Sequence, residues 1–175
     1  AAGKLQNYGG TITWTGYESI LGSGTCGTNL VWKLFDDGTL IISGTGAMSN
    51  YTNYGPWYSK RSSITKIDVK PGVTTVGNYA FYGLSNVTQV SLPQGLTSVG
   101  NRAFYNCAKL EHIVLPEGLQ TVGTYAFYGC AGMKRAQIPD SVTSLGTYAF
   151  YNCASLEQVT IPQGITDIPK YTFYG

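Results

Sequence analysis

The sequence predicts a solenoid of 23-residue coils. Each coil is expected to place one strand in a parallel sheet and a short helical turn on the opposite side, with a β-hairpin cap before the stack. Two observations carry this. Phe81-Tyr82, Phe104-Tyr105, Phe127-Tyr128, Phe150-Tyr151 and Phe173-Tyr174 recur at a constant interval. Apolar columns keep the same beat, as in Ile64, Val87, Leu110, Met133, Leu156 and in Ile67, Val90, Ile113, Ala136, Val159. A fixed period of about 20–50 residues marks an array whose single unit cannot bury its apolar face alone.

Composition narrows the function. The 175 residues include 11 Lys+Arg and 9 Asp+Glu, for a net charge of +2, alongside 23 Gly and 14 Tyr. Nucleic acid is not expected as a partner, because counterion release needs a basic stripe. No apolar run approaches the ~18 residues of a membrane helix, so no membrane insertion is expected.

In chain order, residues 1–28 read as a Gly- and Thr-rich β/loop extension in which Ile12 and Trp14 alternate with polar residues. Within it, Gly22-Ser23-Gly24-Thr25-Cys26-Gly27 matches a dinucleotide-binding glycine pattern letter for letter. That reading needs a preceding strand and a following helix. A hairpin follows instead, so the segment reads as a flexible loop. Residues 29–63 form the cap: Leu30–Phe35 and Thr39–Ser43 flank Asp36-Asp37-Gly38, and Asp-Gly suits a type I′ turn. The loop through Gly55-Pro56-Trp57 then leads into the array.

Residues 64–175 hold four full coils and a partial fifth. Val90-Ser91-Leu92 alternates inward and outward, and Pro93 ends the strand because it offers no N–H to a ladder. Pro116, Pro139 and Pro162 repeat this. Gly72, Gly95, Gly118 and Gly164 are expected to turn the chain at positive φ, with Ser141 the exception. Each coil closes on Gly-x-x-Ala-Phe-Tyr, the expected helical turn.

The pattern Leu110-x-x-Ile113-x-Leu115-Pro116-x-x-Leu119-x-x-Val122-Gly123-x-x-Ala126-Phe127-x-x-Cys130 resembles the BspA-type, or treponemal-type, leucine-rich repeat. Leu84, Ala136 and Pro169 depart from it at single positions. The resemblance implies a leucine-rich-repeat solenoid that is secreted or at the cell surface of a host-associated bacterium. It also implies adhesion or protein binding without shared catalytic residues or a cofactor. The expected partner is an extracellular protein or glycan. A structural spacer presenting another domain of a longer protein is the alternative. Gly175 falls mid-coil, so a longer natural protein is expected, and an exposed last strand near Val159 leaves end-to-end pairing of copies open.

Cys107, Cys130 and Cys153 share a column with Leu84, which marks an apolar slot. Core thiols are expected there, with disulfides between neighbouring coils or a metal as open alternatives. Glu111 and Glu157 share a column at roughly 9–10 Å, a spacing seen in paired carboxylate catalysis. Lys134 between them makes an alternating charge ladder the better reading, and no catalytic or metal site is expected.

Two surfaces remain as candidate binding sites. The first is a tyrosine stripe in two columns: Tyr79, Tyr125, Tyr148 and Tyr171, interrupted by Arg102, and Tyr82, Tyr105, Tyr128, Tyr151 and Tyr174. Tyrosine offers large contact area at small entropic cost, but stacked rings also simply cover coil edges. The second is the concave face of the sheet, with Gln89, His112, Arg135, Gln137 and Gln158 pointing outward, a nearly neutral surface suited to hydrogen-bonded recognition.

Overall fold

The computed structural model describes residues 19–175. The expected strand around Ile12 and Trp14 lies outside those residues. The solenoid is confirmed. Strands β1 (Ile20–Gly27), β2 (Leu30–Phe35), β3 (Thr39–Gly44), β5 (Lys66–Val69), β7 (Gln89–Ser91), β9 (His112–Val114), β11 (Arg135–Gln137) and β13 (Gln158–Thr160) form one eight-stranded sheet. A five-stranded sheet runs along another side of the coils. It holds β4 (Gly46–Ala47), β6 (Val73–Val76), β8 (Ser98–Val99), β10 (Thr121–Val122) and β12 (Ser144–Leu145). This second sheet was not apparent in the sequence, because four of its five strands have two residues, too short to show alternation.

The coils stack in parallel and in register. Gln89 lies opposite Lys66 and His112, and Arg135 lies opposite His112 and Gln158. The three-residue strands β7, β9 and β11 each turn one residue inward, Val90, Ile113 and Ala136, in the buried column that Ile67 of β5 begins. Phe81, Phe104, Phe127 and Phe150 fill the coil centre and stack with centroids 5.1–5.2 Å apart. The buried prolines Pro93, Pro116, Pro139 and Pro162 accept the N–H of Leu96, Leu119, Val142 and Ile165, closing a β-turn at each corner. Positive φ is needed there only at Gly72 and Gly118; Gly95 and Gly164 close the corner without it, contrary to expectation.

The closing segment is not a helix. Between Gly77 and Leu84, the N–H groups of Ala80, Tyr82 and Leu84 donate to carbonyls three residues earlier. The intervening N–H groups of Tyr79, Phe81 and Gly83 donate to Asn101, Ala103 and Tyr105 of the next coil. Consecutive β-turns thus use one half of the amides and an inter-coil ladder the other half. The left-handed residues Tyr79 and Gly83 make this alternation possible, and the same two positions recur as Arg102 and Asn106, then Tyr125 and Gly129. Gly77, Gly100, Gly123 and Gly146 precede this run for a different reason. A Cβ there would lie 2.0–2.8 Å from backbone of the preceding coil.

The cap is continuous with the stack. β2 pairs antiparallel with β3, and β3 pairs in parallel with β5, so the hairpin supplies the first layer. Its turn is not type I′. Only Gly38 is left-handed, and Leu34 pairs with Leu40, which leaves a three-residue loop closed by a glycine bulge. The Asp37 carboxylate accepts from the N–H and hydroxyl of Thr39, which holds its pKa below the ordinary value. The Gly22–Gly27 segment is strand β1, not a flexible loop. Trp32 lies across it, and a Cβ on Gly24 would approach its Nε1 to 2.8 Å, so glycine is there to admit an indole.

Candidate functional site

The outer face of the eight-stranded sheet brings together the five expected residues. Gln89, His112, Arg135 and Gln158 form one row across β7, β9, β11 and β13, and Gln137 follows Arg135 by one pleat. All five are exposed. None of their side chains makes a hydrogen bond or ion pair among the described residues, whose ion pairs are Lys70 with Asp68 and Lys134 with Glu111. The row therefore presents amides, an imidazole and a guanidinium with their bonding capacity unspent. Val114, 76% exposed, stands next to Gln137. A depression of about 390 Å³ at the ends of β9 and β11 includes His112, Val114, Pro116, Arg135, Gln137 and Pro139 in its lining.

The tyrosines form two ladders. Tyr82, Tyr105, Tyr128, Tyr151 and Tyr174 stack with centroids 4.5–5.4 Å apart. Tyr125, Tyr148 and Tyr171 stack at 4.8 and 5.1 Å. Arg102 joins this second ladder through its guanidinium, 4.6 Å from the Tyr125 centroid and 5.4 Å from that of Tyr79. The ladders touch within each coil, as where Tyr125 and Tyr128 lie 5.7 Å apart. The rings are half-buried until the last coil, where Tyr174 is 61% exposed. Burial, with neighbouring phenols second, raises the pKa of Tyr82 and Tyr105 above the ordinary value. In such a ladder each ring face is spent on the neighbouring ring, leaving edges and hydroxyls to solvent.

All four cysteines are free and buried. The thiols of Cys107, Cys130 and Cys153 donate to the carbonyls of Phe81, Phe104 and Phe127 at 3.2–3.3 Å. Burial pushes the Cys107 and Cys153 thiols up to about 12, and Cys130 also well above its ordinary value. Such thiols are poor nucleophiles and poor ligands. Among the described residues no group of three or more His, Cys, Asp or Glu could hold a metal ion. Of the charge ladder, Lys134 bridges Glu111 at 3.2 Å on an exposed surface, while Glu157 makes no ion pair among the described residues.

Sequence reasoning missed Trp57 and Tyr58. Trp57 is fully buried, stacks on Phe81 at 5.4 Å and donates its Nε1 to Ala80 at 3.0 Å. Tyr58 stacks on Tyr54 at 3.8 Å, and Tyr54 meets the edge of Tyr82 at 5.7 Å. The pair is an earlier copy of Phe-Tyr, disguised because it precedes Phe81-Tyr82 by 24 residues instead of 23. An aromatic dipeptide just before the array was the available signal.

Parallel coils with a buried Phe stack and an open sheet face define a leucine-rich-repeat solenoid. Residues 56–175 match the BspA type leucine rich repeat region in six copies, and the chain belongs to that family. Among solved structures, a leucine-rich repeat protein from Eubacterium ventriosum is 29% identical with a TM-score of 0.63, over 82% of this chain and 45% of its own. The T. pallidum leucine rich repeat protein is 26% identical with a TM-score of 0.62, over 75% of this chain and 68% of its own. The pneumococcal vaccine antigen PcpA is 26% identical with a TM-score of 0.62, over 77% of this chain and 32% of its own. This chain thus spans less than half the length of the first and about a third of the last. No curated protein matches the sequence.

Proposed function

We propose that the chain is a non-catalytic recognition module of a secreted or cell-surface protein, and that it binds an extracellular protein or glycan through the outer face of its eight-stranded sheet. The observation that carries this is the row Gln89, His112, Arg135 and Gln158, exposed and without side-chain partners among the described residues, beside a 76% exposed Val114. Exposed polar groups with unspent bonding capacity around an apolar contact are what a protein interface uses. Similarity to a pneumococcal vaccine antigen supports a surface location, and no helix among the described residues is long and apolar enough to cross a membrane. The tyrosine ladders support a role in covering the coil edges, since their ring faces are occupied by one another.

The test is a binding screen against host matrix proteins and glycans. A sheet-face variant replacing Gln89, His112, Arg135 and Gln158 with Ala loses binding on this reading, and a Tyr105→Phe/Tyr128→Phe/Tyr151→Phe variant keeps it. The reverse pattern moves the site to the tyrosines. The continuous ladders also favour a second role, a stiff spacer, which is retained if the wild-type chain binds nothing in the screen.

A further inference from the structure

Within the open face, one place differs from the rest. The depression of about 390 Å³ combines a guanidinium, further polar side chains and an aliphatic wall. Arg135 supplies the guanidinium, exposed and without an ion pair among the described residues. His112 lies directly opposite it on β9, and Gln137 adds a carboxamide one pleat on. Val114, Pro116 and Pro139 form the apolar side, and Val114 is the most exposed large apolar residue of the described chain. Glu117 also borders the depression but is not within ion-pair distance of Arg135.

We infer that this depression is a subsite for an acidic residue flanked by an aliphatic one in an extended segment of a protein partner. The inference rests on the recognition reading above and names its ligand chemistry. A guanidinium presents a planar fork that fits a carboxylate with two parallel hydrogen bonds, a geometry no amide or ammonium reproduces. Gln137 and Gln158 carry both donor and acceptor, which complements the N–H and C=O of an extended backbone. The aliphatic wall then accepts the neighbouring side chain.

Acidic sugars also carry carboxylates, but the lining argues for peptide. Sugar rings are usually held against an open face of Trp, Tyr or Phe, and none of these lines this depression. The tyrosines Tyr82, Tyr105, Tyr128 and Tyr151 lie in a ladder, where each stacks on its neighbours.

The experiment uses the full chain and an immobilised library of amidated heptapeptides randomised at three central positions, read beside an array of sialylated and uronate-containing glycans. The expected result is enrichment of Asp or Glu next to Leu, Val or Ile. The best peptide should lose roughly tenfold or more in affinity with Arg135→Gln, and several-fold with Val114→Ser. Arg61→Gln, on the exposed segment that follows Trp57 and outside the lining of the depression, should leave it unchanged. Thermal melts of each variant confirm folding. Enrichment without an acidic residue, or acidic peptides insensitive to Arg135→Gln, overturns the inference and leaves the recognition reading standing. Binding confined to acidic glycans overturns the peptide assignment alone. A wild-type chain that binds neither library nor any matrix protein overturns both.

Discussion

Arg102 and Tyr79 are joined twice across neighbouring coils. The guanidinium lies 5.4 Å from the Tyr79 ring centroid, and its Nη1 donates to the Tyr79 hydroxyl at 2.9 Å. Both residues hold φ near +55°, at 53° and 56°, where glycine would be the unstrained choice. Arginine and tyrosine persist there because their side chains complete a ladder that glycine would interrupt.

Arg102 therefore separates backbone strain from side-chain stacking. Arg102→Ala keeps the left-handed cost and loses two cation–π contacts, worth about 0.5–1 kcal/mol each at an exposed site. Arg102→Gly loses the same contacts but relieves about 1 kcal/mol of strain. Chemical denaturation should find Ala the more destabilising of the two by about 1 kcal/mol. Arg102→Tyr, which makes the ladder continuous, should equal or exceed the wild type.

Trp57 joins the cap to the array. Trp57→Phe keeps an aromatic ring on Phe81 but leaves the Ala80 carbonyl without its indole donor. An orphaned buried acceptor costs about 1–3 kcal/mol, and Trp57→Ala should cost about 3–5 kcal/mol. A denaturation midpoint insensitive to Trp57→Phe would mean that water replaces the bond.

Two glycines should respond oppositely to alanine. At Gly77 a Cβ would sit 2.0 Å from the Ser49 carbonyl oxygen, whereas at Gly95 nothing lies within 4 Å and φ is not positive. Gly77→Ala should be severely destabilising. Gly95→Ala should be neutral or stabilising by up to about 1 kcal/mol, through the unfolded chain. Paired thermal melts check both.

The buried thiols predict alkaline sensitivity. Cys107 and Cys153 are raised from an ordinary 9.0 to about 12, and Cys26 to about 11. Between those values the unfolded chain has lost protons that the folded chain keeps, so stability falls as pH rises. It is fully present below pH 9 and is lost progressively as pH rises toward each thiol's folded value, about 11 for Cys26 and about 12 for Cys107 and Cys153. Melting temperature should drop across that window, and Cys107→Ala should flatten the drop. A thiol reagent at pH 8 should titrate none of the cysteines at Cys26, Cys107, Cys130 and Cys153 until the protein is denatured.

The sequence made the array, the inward columns and the outward row legible because each repeats at 23 residues, so one column's chemistry could be read from several copies. Leu84 alone was enough to mark the cysteine column as apolar. The closing turns were misread because Ala126-Phe127-Tyr128 has helical spacing, while the left-handed Tyr125 and Gly129 on either side forbid a helix. Tyrosine carries no sign of left-handed backbone in its identity, unlike glycine or asparagine. Trp57 and Tyr58 escaped notice through a one-residue change of interval. The tyrosine columns were legible as a surface, but mutual stacking depends on ring orientation, which no sequence pattern encodes.

The most direct measurement compares binding by the wild type, the sheet-face variant with Gln89, His112, Arg135 and Gln158 replaced by Ala, and the triple Tyr→Phe variant, against one extracellular partner from the screen. The account predicts loss of binding in the sheet-face variant and wild-type affinity in the tyrosine variant, with both folded. Wild-type affinity in the sheet-face variant would contradict it.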